Sequence, residues 1–329
     1  MGEEVIPQVV DTRKLWIRRI IPFLVSALIL YYYFGEQNWN ELFMAVKNAK
    51  LAIATLSVFV PQLVFWFFET LIMERHIRWF HGDFSFRSYF WVRGGLYILM
   101  FFNNVIGTGG IILYLKQKTG MSWKKLWGIL LFRFGLTMWG INIVMVPATI
   151  GVYHFGLVDK IEINMHLWWG LLIGGLIWLI QAWGWWHHGS FPRLSKLIVK
   201  NRESEIWTAF RLADRKRWLL TWAMVLPPFY LTLFGAWVLA WSFDIHIPFT
   251  EYLVLSPIFF FLMDLPIAFA GFGTATMAWN MFFGDYGDPH AVAAMTLFLP
   301  FARATCRLLI GFISLRPAIN DVASLLNKK

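Results

Sequence analysis

Residues Phe101 to Gly120 read FFNNVIGTGGIILYLKQKTG. Apolar residues flank two adjacent asparagines, Asn103 and Asn104, and three glycines, Gly107, Gly109 and Gly110. So apolar a run belongs at bilayer depth, yet asparagine side chains compete for backbone hydrogen bonds and each glycine weakens a helix by about 1 kcal/mol relative to alanine. Non-helical backbone inside hydrocarbon is tolerated only where protein buries it or a watery cavity solvates it. The stretch therefore predicts a hairpin tip beside a polar cavity, with the glycines permitting a tight reversal and the asparagines bonding the freed backbone groups.

The rest of the chain places this hairpin in a membrane. Of 329 residues, 58% are hydrophobic and only 15% charged, with 20 Trp and 32 Phe, a balance far from that of a soluble domain. Apolar runs fit to cross a bilayer, which takes roughly 20 helical residues, lie at 17–34, 51–73, 94–113, 127–151, 167–186, 218–243, 252–271 and 291–315. The first follows the basic segment RKLWIRR, and with no small-residue cleavage site after it, it reads as a retained anchor. The single cysteine, Cys306, excludes a disulfide within the chain and any Cys-based metal site. No cofactor is expected.

Charge decides how the runs are threaded, because Lys and Arg collect in short cytoplasmic loops. Eight full crossings would divide them almost evenly between the two sides. If the third and seventh runs instead dip in and return, 23 of the 29 Lys and Arg fall on one side and three on the other. The remaining three, Arg133, Arg303 and Arg307, lie within apolar runs. The seventh run has its own break: Pro257, Asp264 and Pro266 precede AGFGTATMAWN, with Gly271 and Gly273 at the interruption.

The fold expected is an all-α integral membrane protein of six transmembrane helices plus two re-entrant helical hairpins. The hairpins enter from opposite sides, so the halves at about 15–151 and 167–315 are inverted copies within one domain spanning 1–329. Paired Gly/Pro-interrupted segments at corresponding places in inverted halves point to a transporter's central binding site. Both termini and the basic loop 188–217 are expected in the cytoplasm. That loop interleaves eight Lys and Arg with apolar residues, which suits short amphipathic helices on an anionic leaflet rather than a nucleic-acid patch.

FFNNVIGTGG followed by a basic loop and LLFRFGL, and later LPIAFAGFG followed by a short acidic loop and an Arg-bearing last helix, resemble the flippase-like transmembrane domain of lysylphosphatidylglycerol synthases. The likeness runs in order along almost the whole chain. It implies a stand-alone member, without the aminoacyltransferase domain, in a bacterial inner membrane, moving or binding a lipid between leaflets. With no paired carboxylates and no His-rich motif in the sequence, an enzyme is not expected. In that family an acidic residue and then an arginine follow the first Gly-Gly, and Arg-Glu follows the second Gly-x-Gly. Those positions here are Ile111, Tyr114, Ala275 and Thr276, which opens the alternative of a non-transporting accessory subunit or lipid-binding scaffold.

Ionisable groups at membrane depth cost about 2.5–3.5 kcal/mol each on insertion scales and face a partner or a cavity. Arg303 and Arg307, four residues apart, share a helix face and suit a lipid phosphate, whose oxygens match the guanidinium fork. Pairing of Arg303 with Asp264 is the structural alternative. Arg133 follows the first hairpin much as Arg303 follows the second, offering a stepping route for an anionic head-group from the opposite leaflet, or an ion pair with Glu69. Asp264 is a candidate counter-charge. Together with Asn103, Asn104, Gly107, Gly109, Gly110, Gly271 and Gly273 these residues make up the predicted head-group cavity. The expected partners are a phospholipid or other amphipathic lipid and the membrane itself, with a second copy or another membrane protein left open. His187 and His188 read as an interfacial pair, not metal ligands.

Overall fold

Apolar segments without water must satisfy their backbone groups internally, and helix is the regular structure found throughout the described residues. The computed structural model describes residues 31, 38–102, 104–156, 169–170, 173–174, 176–177, 203–263 and 272–326. The helices are α1 Trp39–Asn48, α2 Leu51–Phe80, α3 Phe86–Gly95, α4 Tyr97–Phe102, α5 Asn104–Thr119, α6 Trp123–His154, α7 Thr208–Leu212, α8 Arg215–Ser242, α9 Phe249–Met263, α10 Phe272–Phe283 and α11 Pro289–Leu326. Side chains that bond orphan backbone N–H groups set several of the starts: Asn38 for α1, Ser85 for α3, Ser122 for α6 and Asp214 for α8. Three helices, α2, α8 and residues 289–325 of α11, are long and apolar enough to cross a membrane, which marks the chain as a helical membrane protein.

The ends of the helices gather at two poles. At one, a His81 ring nitrogen meets the Thr119 carbonyl at 2.8 Å, Lys118 pairs with Asp321 at 3.0 Å, and Ser122 donates to Glu205. The end of α2, the mouth of α3–α5, the starts of α6 and α8 and the end of α11 therefore lie together. At the other pole the Lys50 N–H donates to Ser242 O at 2.9 Å, Lys50 pairs with Asp244 at 3.6 Å, and His290 meets Glu41. Here α2 and α11 begin and α8 ends.

The chain reverses direction at each predicted hairpin. Leu96 and Met100 on one arm lie against Gly110 and Gly107 on the other: a Cβ on Gly107 would stand 2.8 Å from the Met100 backbone nitrogen. Along one continuous helix those residues would be about 10 Å apart. In the second, the Phe259 and Trp279 rings lie 4.8 Å apart and Tyr252 and Phe283 5.5 Å, so α9 and α10 run antiparallel. Tyr286 donates to Glu251 at its mouth, which opens at the pole opposite that of the first.

One expectation is corrected here. The three glycines do not form the turn: Gly107, Gly109 and Gly110 all lie inside α5. The physical reason is packing. Gly107 and Gly110 lack the Cβ that would collide with Met100 and Leu96, so the two arms can close on each other. Gly109 faces open space.

Candidate functional site

A cavity of about 160 Å³ lies among α2, α8 and α11. Its polar lining consists of Ser57 and Gln62 from α2, Thr232 from α8, and Arg303 and Arg307 from α11. The four-residue spacing does bring the two arginines to one wall. Each wall helix contains proline: Pro61 in α2, Pro227 and Pro228 in α8, Pro300 in α11. Pro61 has no N–H to give the carbonyl of Ser57, and Gly235 approaches that carbonyl so closely that a Cβ would stand 2.4 Å from it. The close crossing of α2 and α8 thus forms one side of the cavity.

The donors in this space are few. Ser57 Oγ gives its hydrogen to Ala54 O at 2.8 Å and Thr232 Oγ gives its own to Pro228 O at 2.7 Å. That leaves the guanidiniums and the Gln62 amide, which reaches Tyr97 Oη at 3.4 Å. Arg307 lies over the Tyr97 ring, 5.9 Å from its centroid. Its Nε is buried without a hydrogen-bond partner, and no carboxylate among the described residues pairs with it. A buried unpaired donor is costly to a fold and favours a ligand oxygen.

Tyr97 links the cavity to a second polar centre. Arg93 Nη2 meets Glu69 Oε2 at 2.9 Å, Arg133 Nη2 bonds Glu69 Oε1, and Arg93 also reaches Tyr89 Oη at 3.3 Å. Glu69 and Arg93 are both buried. The triad of two guanidiniums and one carboxylate carries a net positive charge. Arg133 also lines an open groove of about 450 Å³ with Trp127, Leu130, Leu131, Phe134 and Thr137.

Of the predicted site residues, Arg303 and Arg307 share the cavity, and Arg133 stands apart in the groove on α6. Its pairing with Glu69 is the ion pair that was one of its two sequence readings. Gly107, Gly109 and Gly110 belong to the α5 helix, as described. Asn104 begins α5 and Gly273 is the second residue of α10. Asn103, Asp264 and Gly271 lie outside the described residues, as do His187 and His188. Sequence reading missed Gln62, Tyr97 and Arg93. Arg93 sits at the edge of a basic loop and reads there as a topological charge. The signal that could have found it was Glu69, a carboxylate within an apolar run that needs a cation.

A third polar cluster fixes the first hairpin. Asp321 accepts from Tyr114 Oη at 2.6 Å, Lys118 Nζ at 3.0 Å, and Ser88 Oγ. Tyr114 occupies the place where the resembled motif carries arginine. No family model matches the chain, and no curated protein matches it either, so the ground for a functional reading is the geometry of the arginine cavity and its linked ion triad.

Proposed function

We propose that the protein is a flippase-like lipid transporter of the bacterial inner membrane, binding a phosphate-containing head-group and passing it between leaflets without covalent chemistry. The observation that carries this reading is the cavity in which Arg303 and Arg307 face one space, with the Arg307 Nε buried and unpaired. Six crossings with two re-entrant hairpins from opposite leaflets, and both termini cytoplasmic, accord with the antiparallel packing of the arms and their mouths at opposite poles. In that topology Arg133 lies ten residues into α6 from the inner pole. The two cationic stations are separate, one in the cavity and one in the groove, with the Gln62–Tyr97 contact and the Arg93–Glu69 pair between them. A head-group would pass between them while its tails stay in lipid.

The test is a head-group translocation assay in proteoliposomes containing labelled anionic phospholipids. Wild-type protein is expected to redistribute label between leaflets, and Arg307→Ala to slow this about tenfold or more with folding intact. Unchanged leaflet distribution for every anionic, cationic and isoprenoid lipid tried would remove the transport reading. A second reading, a non-transporting accessory scaffold, is favoured by one feature: Arg133 is tied to Glu69, and Tyr114 to Asp321, in contacts that rigidify the inner half. It predicts that Arg303→Ala, Arg307→Ala and Arg133→Ala leave the cellular phenotype unchanged, while surface substitutions disturb a partner.

A further inference from the structure

Arg307 can meet a phosphate only while its guanidinium is held in the cavity, and the group beside it is an aromatic ring. Arg307 lies over the ring of Tyr97, 5.9 Å from its centroid. A ring face attracts a cation without using up an N–H, whereas a carboxylate would occupy those donors. The ring itself is well fixed. Tyr97 is buried in one cluster with Trp66, Cys306 and Ile310, so it packs on residues that flank Arg307 along α11. One turn further on, Gly311 admits Ile98 so closely that a Cβ would stand 2.6 Å from Ile98 Cγ1. That approach seats the start of α4 on α11 beside Arg307. The amide of Gln62, itself a cavity residue, donates to Tyr97 Oη at 3.4 Å and steadies the far end of the ring.

We propose, resting on the head-group reading above, that Tyr97 is a positioning residue. Its ring holds the Arg307 guanidinium toward the cavity and leaves the N–H groups for a phosphate oxygen. Tyr97 acts through Arg307 and is not itself a contact of the head-group.

The test replaces Tyr97 in the full-length protein with phenylalanines of increasing fluorination, which weakens the ring's pull on a cation while nearly preserving its shape. Two readouts are taken in detergent: calorimetric affinity for short-chain phosphatidylglycerol, and the Arg307 Nε–H resonance without lipid, assigned by its loss in Arg307→Lys. Affinity is expected to fall stepwise, by about tenfold across the series, and the resonance to move with it. A Tyr97 that only fills the core would leave both flat. A flat affinity in a protein whose wild type binds the lipid, or a flat resonance, overturns the proposal. Tyr97→Phe is expected to stay within about threefold of wild type. Tyr97→Leu should lose about tenfold, but nothing more once Arg307→Gln is present. Equal losses in Tyr97→Phe and Tyr97→Leu, or a Tyr97→Leu loss that persists beside Arg307→Gln, overturn it as well. The fluorinated series decides the matter even if Tyr97→Leu fails to fold. If wild type binds no lipid while the resonance still tracks fluorination, the head-group reading fails and the positioning of Arg307 stands.

Discussion

Glu69 is the residue that holds two arginines of the bundle together. It is buried between Arg93 and Arg133, so removing its charge leaves two guanidiniums facing a neutral amide. Breaking a buried ion pair in this way costs about 3–5 kcal/mol. Glu69→Gln is therefore expected to lower the thermal unfolding midpoint in detergent substantially, whereas Arg133→Gln should cost less, because Arg93 still neutralises the carboxylate and the Arg133 side chain is 21% exposed. An equal effect of the two substitutions would contradict this asymmetry. Arg307 is the converse case: with no carboxylate partner among the described residues, its loss should affect ligand binding more than folding.

Among the elements, contacts rather than propensities set the geometry. Gly235 brings α8 onto α2 where a Cβ would meet Ser57 O at 2.4 Å and Pro61 Cγ at 2.8 Å. Overpacking of this kind costs typically about 1–3 kcal/mol, so Gly235→Ala should destabilise the protein and change the cavity it helps to line, read as a lower unfolding midpoint together with weakened lipid binding. Gly235→Ala with wild-type stability would show that the helices can separate freely. The first hairpin is held at its base by Asp321, which accepts from Ser88, Tyr114 and Lys118. Asp321→Asn keeps the size but loses the ion pair with Lys118. Backbone amides of α5 should then exchange hydrogen faster by mass spectrometry, while those of α9 and α10 stay unchanged.

At the scale of the molecule, the two poles carry different charge. The pole with the first hairpin's mouth holds Lys116, Lys118, Lys124 and Lys125 and the start of α8 with Arg215, Lys216 and Arg217, whereas the opposite pole holds Lys47 and Lys50. Positive charge remains on the cytoplasmic side, so cysteines at Lys124 and Asp285, both exposed, should react with a membrane-impermeant maleimide from opposite sides of sealed vesicles. Cys306 is buried and contributes little background. Labelling of both positions from the same side would refute six crossings with two inverted hairpins.

The sequence by itself determined that the chain is helical, that three of its described helices can cross a membrane, and where the helix pattern breaks around 101–110. Hydropathy, glycine and basic residues report partition between water and lipid, and each residue carries that information alone. The seat of the turn was not legible: Asn-Asn and Gly-x-Gly-Gly both weaken a helix, and only the contact of Gly107 with Met100 distinguishes a turn residue from a packing face. Nor was the partner of Glu69 fully legible. Arg133 could be named, but Arg93 joins it only because α2 and α3 pack with particular faces together. Rotation of each helix about its axis, fixed by side-chain fit across the bundle, decided which charges meet and which line the cavity.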